Sequence, residues 1–276
     1  MQRKNQKLLF HQNIQAMSRN KTENEFIENC RFLGLKYLEK EYDSIIKKAD
    51  KSAIGFTVFI QEIVKNEAAA KIERSIKYRT KESKLPRPYK LLNDFDFDFQ
   101  PNLKKKLVMD LAALEFIRLN ESILFIGKTG TGKSHIAQSI GFLACQRRYK
   151  VLYVTCSDML NDLNHGVYEK TLLKRLQKYV TAELLIIDEM GHDRLELQVT
   201  KEAHLLFKVI DERYKLNKSL IFTTNVEEPD WADYLGDPIS TKAILDRIFH
   251  HSIKVHINGP SYRKYQGEKL QAKYSV

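Results

Sequence analysis

The stretch "GKTGTGKS" at residues 127–134 decides the fold. It fits the pattern G-x-x-x-x-G-K-[S/T] in full, and it lies between the apolar run "SILFI" (122–126) and a segment with helical spacing. Glycines at these positions let the main-chain N–H groups turn toward phosphate oxygens, and the N-terminus of the following helix adds partial positive charge. The sequence therefore predicts a phosphate-binding loop formed by Gly127, Lys128, Thr129, Gly130, Thr131, Gly132, Lys133 and Ser134.

The last residues of this loop have predicted roles toward a bound nucleotide. Lys133 is placed to reach the β and γ phosphates, and the hydroxyl of Ser134 is placed to ligate Mg²⁺. His135 is grouped with the nucleotide-binding residues, although packing of the helix explains it better. The guanine-reading pattern Asn-Lys-x-Asp is absent, because "NKSL" (217–220) lacks the aspartate. The predicted cofactors are therefore ATP and Mg²⁺.

Two adjacent acids end another apolar run, "LLIIDE" (184–189). A buried strand of this kind delivers Asp188 and Glu189 to the edge of the sheet where the phosphate-binding loop also lies. Asp188 is predicted to hold Mg²⁺ through water, and Glu189 to orient and deprotonate the attacking water. The second acid favours hydrolysis over transfer of the phosphoryl group to a bound acceptor.

Five short apolar segments alternate with helical segments in the second part of the chain. They are "SILFIG" (122–127), "KVLYVT" (150–155), "ELLIIDE" (183–189), "SLIFTTN" (219–225) and "SIKVHI" (252–257). This pattern predicts an α/β fold with a five-stranded parallel sheet and helices on both faces. The segment "FDFDFQP" (95–101) alternates as an extended chain, and one of its phenylalanines could pass over the base, although core packing is favoured.

The N-terminal part of the chain has a different character. Residues 1–90 hold 20 Lys/Arg against 11 Asp/Glu, whereas residues 91–276 hold 26 against 24, so most of the net charge of +11 lies in the first part. Such asymmetry suggests a polyanionic partner, or only a solubilising charge excess. Phe10, Ile14 and Met17 keep helical spacing, and "TENE" (22–25) fits a capping box that opens a helix with Phe26 and Tyr37 on one stripe.

A further helix is predicted from about Phe56 into "NEAAAKIERSIKYRTK". Its polar side carries Lys71 and Arg74, which could contact phosphates or simply face solvent. "SKLPRPYKLLND" (83–94) has two prolines and is interpreted as a linker. The predicted organisation is a small all-helical domain at 1–88, the α/β domain at 89–260 and a basic tail at 261–276.

Composition and targeting signals limit the class of protein. Three scattered cysteines favour a reducing cytosol over a disulfide framework. No apolar run is long enough to span a membrane, and no signal peptide is recognisable. We therefore expect a cytoplasmic protein without a membrane partner.

Two polar residues in the C-terminal half of the chain complete the candidate site. Asn225 ends the strand predicted beside the acidic one, where its amide can both donate to and accept from the γ-phosphate and the attacking water, unless it only shapes a turn. Arg247 lies in "KAILDRIFHH" (242–251), and helical geometry places it opposite the apolar face. An outward arginine can complete a neighbouring subunit's site. An ordinary surface arginine, or a metal site with His250 and His251, are the alternatives.

Taken together, these motifs resemble the IstB-like AAA+ ATPases, the helper subunits of insertion-sequence transposition, which are related to the DnaC-type helicase loaders. The similarity covers most of the chain. The motifs that carry it include "NESILFIGKTGTGKSHIA", "LLIIDEMG", "LLFKVIDERY", "DWADYLGDP", "AILDRIFHH" and "GPSYR". One departure is His192, where an aromatic residue would be expected.

The resemblance implies an AAA+ domain without the usual C-terminal lid and an ATP-controlled homo-oligomer on double-stranded DNA, largely independent of DNA sequence. It also implies that Arg247 acts in trans and that the assembly recruits or stimulates a transposase. Arg263 of "SYR" contacts nucleotide or a neighbour, and both possibilities stay open. The segment 168–179 is predicted as one helix whose face carries Lys170, Lys174 and Lys178, either toward DNA phosphates or toward solvent.

Two other functions compete with this one. A helicase loader would use the same motor with a helicase as its partner, and the N-terminal domain would decide between them. A small-molecule kinase would need a lid with arginines and a pocket for the acceptor, and the sequence shows neither.

Overall fold

A computed structural model describes residues 22–51, 55–191, 199–231 and 238–274 of the chain. The patterns at Phe10, Ile14, Met17 and His192 lie outside these residues. The chain divides into two compact units at the Ser75–Ile76 bond. This division lies before the domain boundary at residue 88 that the prolines suggested.

The N-terminal unit is helical, as predicted. Residues 22–33 form α1, and they are followed by α2 (Lys36–Lys51) and by α3 (Phe56–Glu82), which continues past the division. Gly34 ends α1 with a left-handed backbone (φ 70°), so that its N–H donates to Arg31 O and the N–H of Leu35 donates to Cys30 O. The prediction of a single helix with a stripe from Phe26 to Tyr37 is therefore wrong, because Gly34 breaks it.

A buried carboxylate from α3 caps the start of α2. Glu67 accepts from the main-chain N–H of Tyr37 (2.8 Å) and of Leu38 (3.1 Å), which have no partner within their own helix. Arg74 donates to the same carboxylate at 3.0 Å. Burial raises the pKa of Glu67, but these hydrogen bonds outweigh it, so the pKa is lowered. Arg74 thus has a structural partner within the N-terminal unit, and its side chain is 36% exposed.

The C-terminal unit contains the predicted five-stranded sheet. The strands are β1 (Ser122–Ile126), β2 (Val151–Thr155), β3 (Leu184–Met190), β4 (Ser219–Thr224) and β5 (Ser252–His256). All four pairings are parallel, in the order β2-β3-β4-β1-β5. The fold class predicted from the alternating segments is therefore confirmed.

Helices cover both faces of this sheet. The helices of this unit are α4 (Lys105–Ala112), α5 (Glu115–Arg118), α6 (Lys133–Gln146), α7 (Cys156–Tyr168), α8 (Leu172–Val180), α9 (Val199–Lys215), α10 (Pro238–His250) and α11 (Tyr262–Tyr274). Alternate residues of a strand face opposite sides, so Leu124 and Ile126 join the core under α7–α10, and Ile123 and Phe125 join the core with α4–α6.

Arg213 ties together the strand ends farthest from the phosphate-binding loop. It is fully buried on α9, and its guanidinium donates to the carbonyls of Tyr179 (2.6 Å), Ala182 (2.8 Å) and Ser219 (2.5 Å). Burial lowers the pKa of Arg213 to about 9, which still leaves the group charged at neutral pH. One side chain therefore joins the end of α8 to the starts of β3 and β4.

The segment 83–94, interpreted as a linker, packs along the C-terminal unit. The carbonyl of Ser83 accepts from Tyr153 N on the edge strand β2 at 2.7 Å, Leu85 is buried, and Ser139 of α6 donates to Lys90 O. "FDFDFQP" forms no strand: it follows a short 3-10 helix (Leu92–Asp94) and turns its aromatic rings onto the unit.

The helix predicted at 168–179 begins later than predicted, because α8 covers Leu172–Val180 and a turn separates it from α7. α7 ends at Tyr168, and Lys170 lies in the turn before α8 with a left-handed backbone (φ 57°). Lys174 and Lys178 are both exposed on α8, and Lys178 lies 3.3 Å from Asp162 of α7. The prediction that three lysines share one helical face is therefore wrong.

Among the helices that the structure describes, none is long and apolar enough to span a membrane.

Candidate functional site

The loop between β1 and α6 has the tight turns that its glycines predict. Gly130 and Gly132 have left-handed backbones (φ 84° and 100°), which are strained for residues with a side chain. Neither position has room for one, since a Cβ on Gly130 would overlap the hydroxyl of Ser261 and a Cβ on Gly132 would lie 2.5 Å from Phe95. Thr131 fixes the turn by donating to Lys128 O at 2.9 Å. The loop is therefore held between the segment before β1 and the segment after β5.

Lys133 begins α6 with its ammonium turned back into the loop. It is 9% exposed and donates to Gly127 O (2.6 Å) and Lys128 O (2.9 Å). Burial lowers the pKa of this ammonium, and Arg263 lowers it further, while the nearby carboxylate of Asp188 raises it. A cation that is poorly hydrated and surrounded by main-chain dipoles gains most from a phosphate group, because an anion restores the lost solvation.

Asp188 is 1% exposed at the end of β3 and is held by three hydroxyl groups. Ser134 donates to its Oδ1 at 2.8 Å, Thr223 of β4 donates to the same oxygen, and Tyr153 of β2 donates to Oδ2 at 2.5 Å. Burial and the neighbouring carboxylate raise the pKa of Tyr153, so the phenol remains a donor at neutral pH. The predicted metal pair of Ser134 and Asp188 therefore lies within hydrogen-bond distance.

Tyr153 and Thr223 are site residues that the sequence analysis missed. Both occupy strands that read as ordinary apolar segments, and their hydroxyls meet Asp188 only because the carboxyl ends of β2, β3 and β4 lie side by side. The signal that would have identified these two residues is the register between β2 and β3, which pairs Thr155 with Asp188. That register can be assigned only once the order of the strands is known.

Glu189 has a strained backbone at the edge of the pocket. Its φ is 59°, a conformation that costs a residue with a side chain about 1 kcal/mol or more. The register between β3 and β4 shifts between Ile187 and Met190, and the N–H of Glu189 donates to the hydroxyl of Thr223 at 3.0 Å. This irregularity turns the exposed carboxylate of Glu189 into the pocket, next to the buried Asp188.

Several of the predicted residues, but not His135 or Arg247, converge on one pocket, together with a residue of the C-terminal helix. The pocket is lined by Thr129, Gly130, Lys133, Ser134, Glu189, Thr223, Thr224, Asn225 and Arg263. Asn225 directly follows β4. Its Oδ1 lies close to Gly191, since a Cβ added to Gly191 would be only 2.9 Å from that oxygen. The sequence left the role of Arg263 open between contact with nucleotide and contact with a neighbour, and the structure places it in this pocket. It reaches the pocket because Tyr262, the first residue of α11, donates from its N–H to Gly130 O at 2.9 Å.

Arg247 is placed differently from the sequence prediction. It is only 29% exposed, and its Nε donates to Asp211 of α9 at 2.9 Å while its guanidinium lies 5.0 Å from the ring centre of Phe207. The prediction that Arg247 points outward is therefore wrong for the single chain. The neighbouring helix α9 offers it the carboxylate of Asp211 and, one turn earlier on the same helix, the ring of Phe207. His250, three residues further along the same helix, contacts the hydroxyl of Tyr214 at 3.2 Å.

His135 contacts the segment before β1. Its Nε2 lies 2.8 Å from Leu91 O, and its ring packs edge-on to Phe95 at 5.4 Å. This arrangement matches the packing interpretation of His135 rather than a place in the pocket. Phe95 is also the side chain that closes on Gly132, so the aromatic segment supports the loop from one side.

Solved structures with a similar fold include DnaA and DnaI. The AMPPCP-bound DnaA from Aquifex aeolicus aligns with a TM-score of 0.53 at 22% identity, over 68% of this chain and 56% of that one. DnaI aligns with a TM-score of 0.51 at 20% identity, over 64% of this chain and 94% of that one. At these identities the likeness establishes the fold alone, which is that of an AAA+ P-loop domain.

Sequence relatives are closer. A putative ATP-binding protein of insertion sequence IS5376 from Geobacillus stearothermophilus is 37% identical over 86% of this chain and 92% of its own length. The corresponding protein of IS21 from Pseudomonas aeruginosa is 32% identical over 86% and 88%. The model of the family described as IstB-like ATP binding protein matches residues 29–271. This chain, with its phosphate-binding loop, paired acids and five-stranded sheet, therefore belongs to the IstB-like ATP-binding proteins.

Proposed function

We propose that the protein binds and hydrolyses ATP with Mg²⁺, and that it works as a homo-oligomer on duplex DNA that recruits or stimulates the transposase of an insertion sequence. The observation that carries the ATPase part is the pairing of Ser134 with Asp188, with Glu189 and Lys133 in the same pocket. Relatives at 32–37% identity are named for insertion sequences, which favours transposition over helicase loading. We expect the protein to act in the cytoplasm.

The donor set in the pocket fits Mg²⁺. The hydroxyl of Ser134 and the carboxylate of Asp188 are hard oxygen ligands, and the neighbouring hydroxyl of Thr223 keeps the carboxylate oriented. A bound ion would supply positive charge that neutralises the charge developing on the phosphates.

The chain's own residues would carry the remaining steps. Lys133 and Arg263 approach the phosphates as cations, and the main-chain N–H groups of the loop surround them. Glu189 accepts the proton of the attacking water, while Asn225 holds that water by donating or accepting through its amide. The strained backbone of Glu189 keeps the base apart from Asp188, so each carboxylate has one role.

Arg247 is proposed to complete the site of a neighbouring subunit. It does not line the pocket of its own chain. An arginine that reaches transferred phosphates from the next subunit stabilises charge in the transition state. This role requires the side chain to leave Asp211 when subunits assemble.

DNA binding is proposed to be largely independent of sequence. Lys71, Lys170 and Lys174 are exposed and suit contacts to phosphates, whereas Arg74 and Lys178 have carboxylate partners within the chain. The N-terminal helices would add contacts to DNA or bind the transposase.

The test is ATP hydrolysis measured with and without duplex DNA of unrelated sequences. We expect every duplex to raise the rate and Lys133→Ala to abolish it. A rate that is indifferent to DNA, together with phosphorylation of a small metabolite, would contradict the proposal.

A further inference from the structure

The C-terminal helix α11 has no buried residue, although it starts at the phosphate-binding loop. All of its residues, from Tyr262 to Tyr274, are exposed, and Leu270 is 59% exposed. A helix of this length that buries so little is marginal in water, and Gly267 in its middle weakens it by about 1 kcal/mol. The helix therefore has a face available for a partner.

The N-terminal end of α11 is firmly attached. Ser261 caps it by accepting from Lys264 N at 3.3 Å and also fills the space beside Gly130. The ring of Phe99 packs on Tyr262 at 5.0 Å and on Tyr265 at 5.1 Å. The direction of the helix is thus set by the same loop that would hold the phosphates.

The charge of α11 indicates what kind of partner it suits. It carries four basic residues, Arg263, Lys264, Lys269 and Lys273, and one acid, Glu268. At about 100° per residue, Lys269 and Lys273 continue the face that begins with Tyr262 and Tyr265, and Lys264 lies on the opposite side, 3.9 Å from Glu268. Two exposed lysines on one helical face complement a phosphate backbone and carry no means of reading bases.

We propose that α11 is a DNA-contacting helix whose position depends on the nucleotide, with Lys269 and Lys273 as its phosphate contacts. Arg263 lines the pocket from the first turn, so phosphate groups that attract it also fix the base of the helix. Coupling of this kind is reciprocal: if ATP positions α11 for DNA, then DNA tightens ATP binding by the same factor. The inference rests on the proposed binding of duplex DNA.

The experiment measures the affinity of the full chain for a duplex at several salt concentrations, with ADP and with a non-hydrolysable ATP analogue. Lys269→Ala combined with Lys273→Ala leaves the fold intact, because alanine favours helix at exposed positions. With the analogue, we expect the slope of log affinity against log salt to fall by about 1.8, and affinity at about 0.15 M salt to fall roughly fivefold for each lost contact. With ADP the loss should be smaller.

A matched control removes the same charge elsewhere. Arg147 and Arg148 follow the C-terminal end of α6, about 20 Å along that helix from the phosphate-binding loop, and both are exposed. Their double change to alanine should leave the slope nearly unchanged. A slope that is unaltered in the Lys269/Lys273 variant would overturn the role of α11. Equal losses of DNA affinity in the Lys269/Lys273 and Arg147/Arg148 variants would also overturn this role. So would a Lys269/Lys273 variant that binds DNA normally but no longer assembles into oligomers. Failure of the wild-type chain to bind duplex DNA would instead overturn the proposed function.

Discussion

Replacing Asp211 by asparagine should make the protein a better ATPase at low protein concentration. In the single chain, Asp211 holds Arg247 at 2.9 Å, and we propose that Arg247 acts in the site of a neighbouring subunit. Every assembly step must then break this ion pair before the arginine can reach the phosphates. The Asp211→Asn change keeps the size of the side chain and removes the charge that holds the arginine back.

The size of the effect follows from the burial of the pair. Arg247 is 29% exposed and Asp211 is 16% exposed, so the pair is better shielded than a surface ion pair, for which about 0.2–1 kcal/mol is usual. Lys215 competes for the same carboxylate at 2.7 Å, which limits the gain. A contribution of about 0.5–1.4 kcal/mol corresponds to a two- to tenfold change in an equilibrium constant. The protein concentration at half-maximal ATPase rate should fall by that factor.

The assay is ATP hydrolysis against protein concentration, with saturating duplex DNA. Glu212→Gln is the matched control, because Glu212 is the next residue on α9 and pairs with Lys215 at 3.0 Å rather than with Arg247. This control should leave the midpoint in place. A midpoint that does not move in Asp211→Asn, or that moves equally in the control, would show that Arg247 is not released from Asp211 during assembly.

Three further predictions concern single side chains. Tyr153→Phe removes a donor from the buried carboxylate of Asp188 and should lower the free energy of unfolding by about 1.5–3 kcal/mol, and ATP turnover with it. The control Tyr149→Phe should change both quantities little. Equal losses of stability for the two variants in denaturant titration would refute this. Arg213→Met removes the Arg213 donor from three carbonyls at the buried strand ends and should cost at least about 3 kcal/mol, and a loss under about 1 kcal/mol would contradict it. Gly34→Ala should cost about 1–2 kcal/mol through its left-handed backbone alone, because nothing lies within 4 Å. Gly55→Ala, in equally open space without a positive φ, should cost less, and the reverse order in thermal unfolding would be inconsistent with this explanation.

The sheet was predictable from the sequence because its signals are local. Each strand is a short apolar run bounded by polar residues, and strands buried on both faces leave few other interpretations. The phosphate-binding loop was predictable for the same reason, since all of its residues lie within eight positions. Asp188 followed from its place at the end of such a run.

The parts that could not be predicted depend on contacts between distant segments. Arg247 lies opposite the apolar face of its own helix, but the neighbouring α9 supplies Asp211, and helical geometry alone cannot show a partner on another element. Lys178 meets Asp162 for the same reason. The leucines of the helix predicted at 168–179 do lie within α8, but the helix begins only at Leu172 because the chain turns at Lys170.

The measurement that tests the central claim most directly mixes two inactive proteins. Lys133→Ala lacks the cation for its own phosphates and keeps Arg247, whereas Arg247→Ala keeps a complete pocket and lacks the arginine for its neighbour. Each should hydrolyse ATP poorly alone on duplex DNA, and the mixture should regain part of the wild-type rate, because a mixed interface joins the two intact halves. A mixture that remains inactive, while mixed assemblies demonstrably form, would contradict an ATPase site shared between subunits.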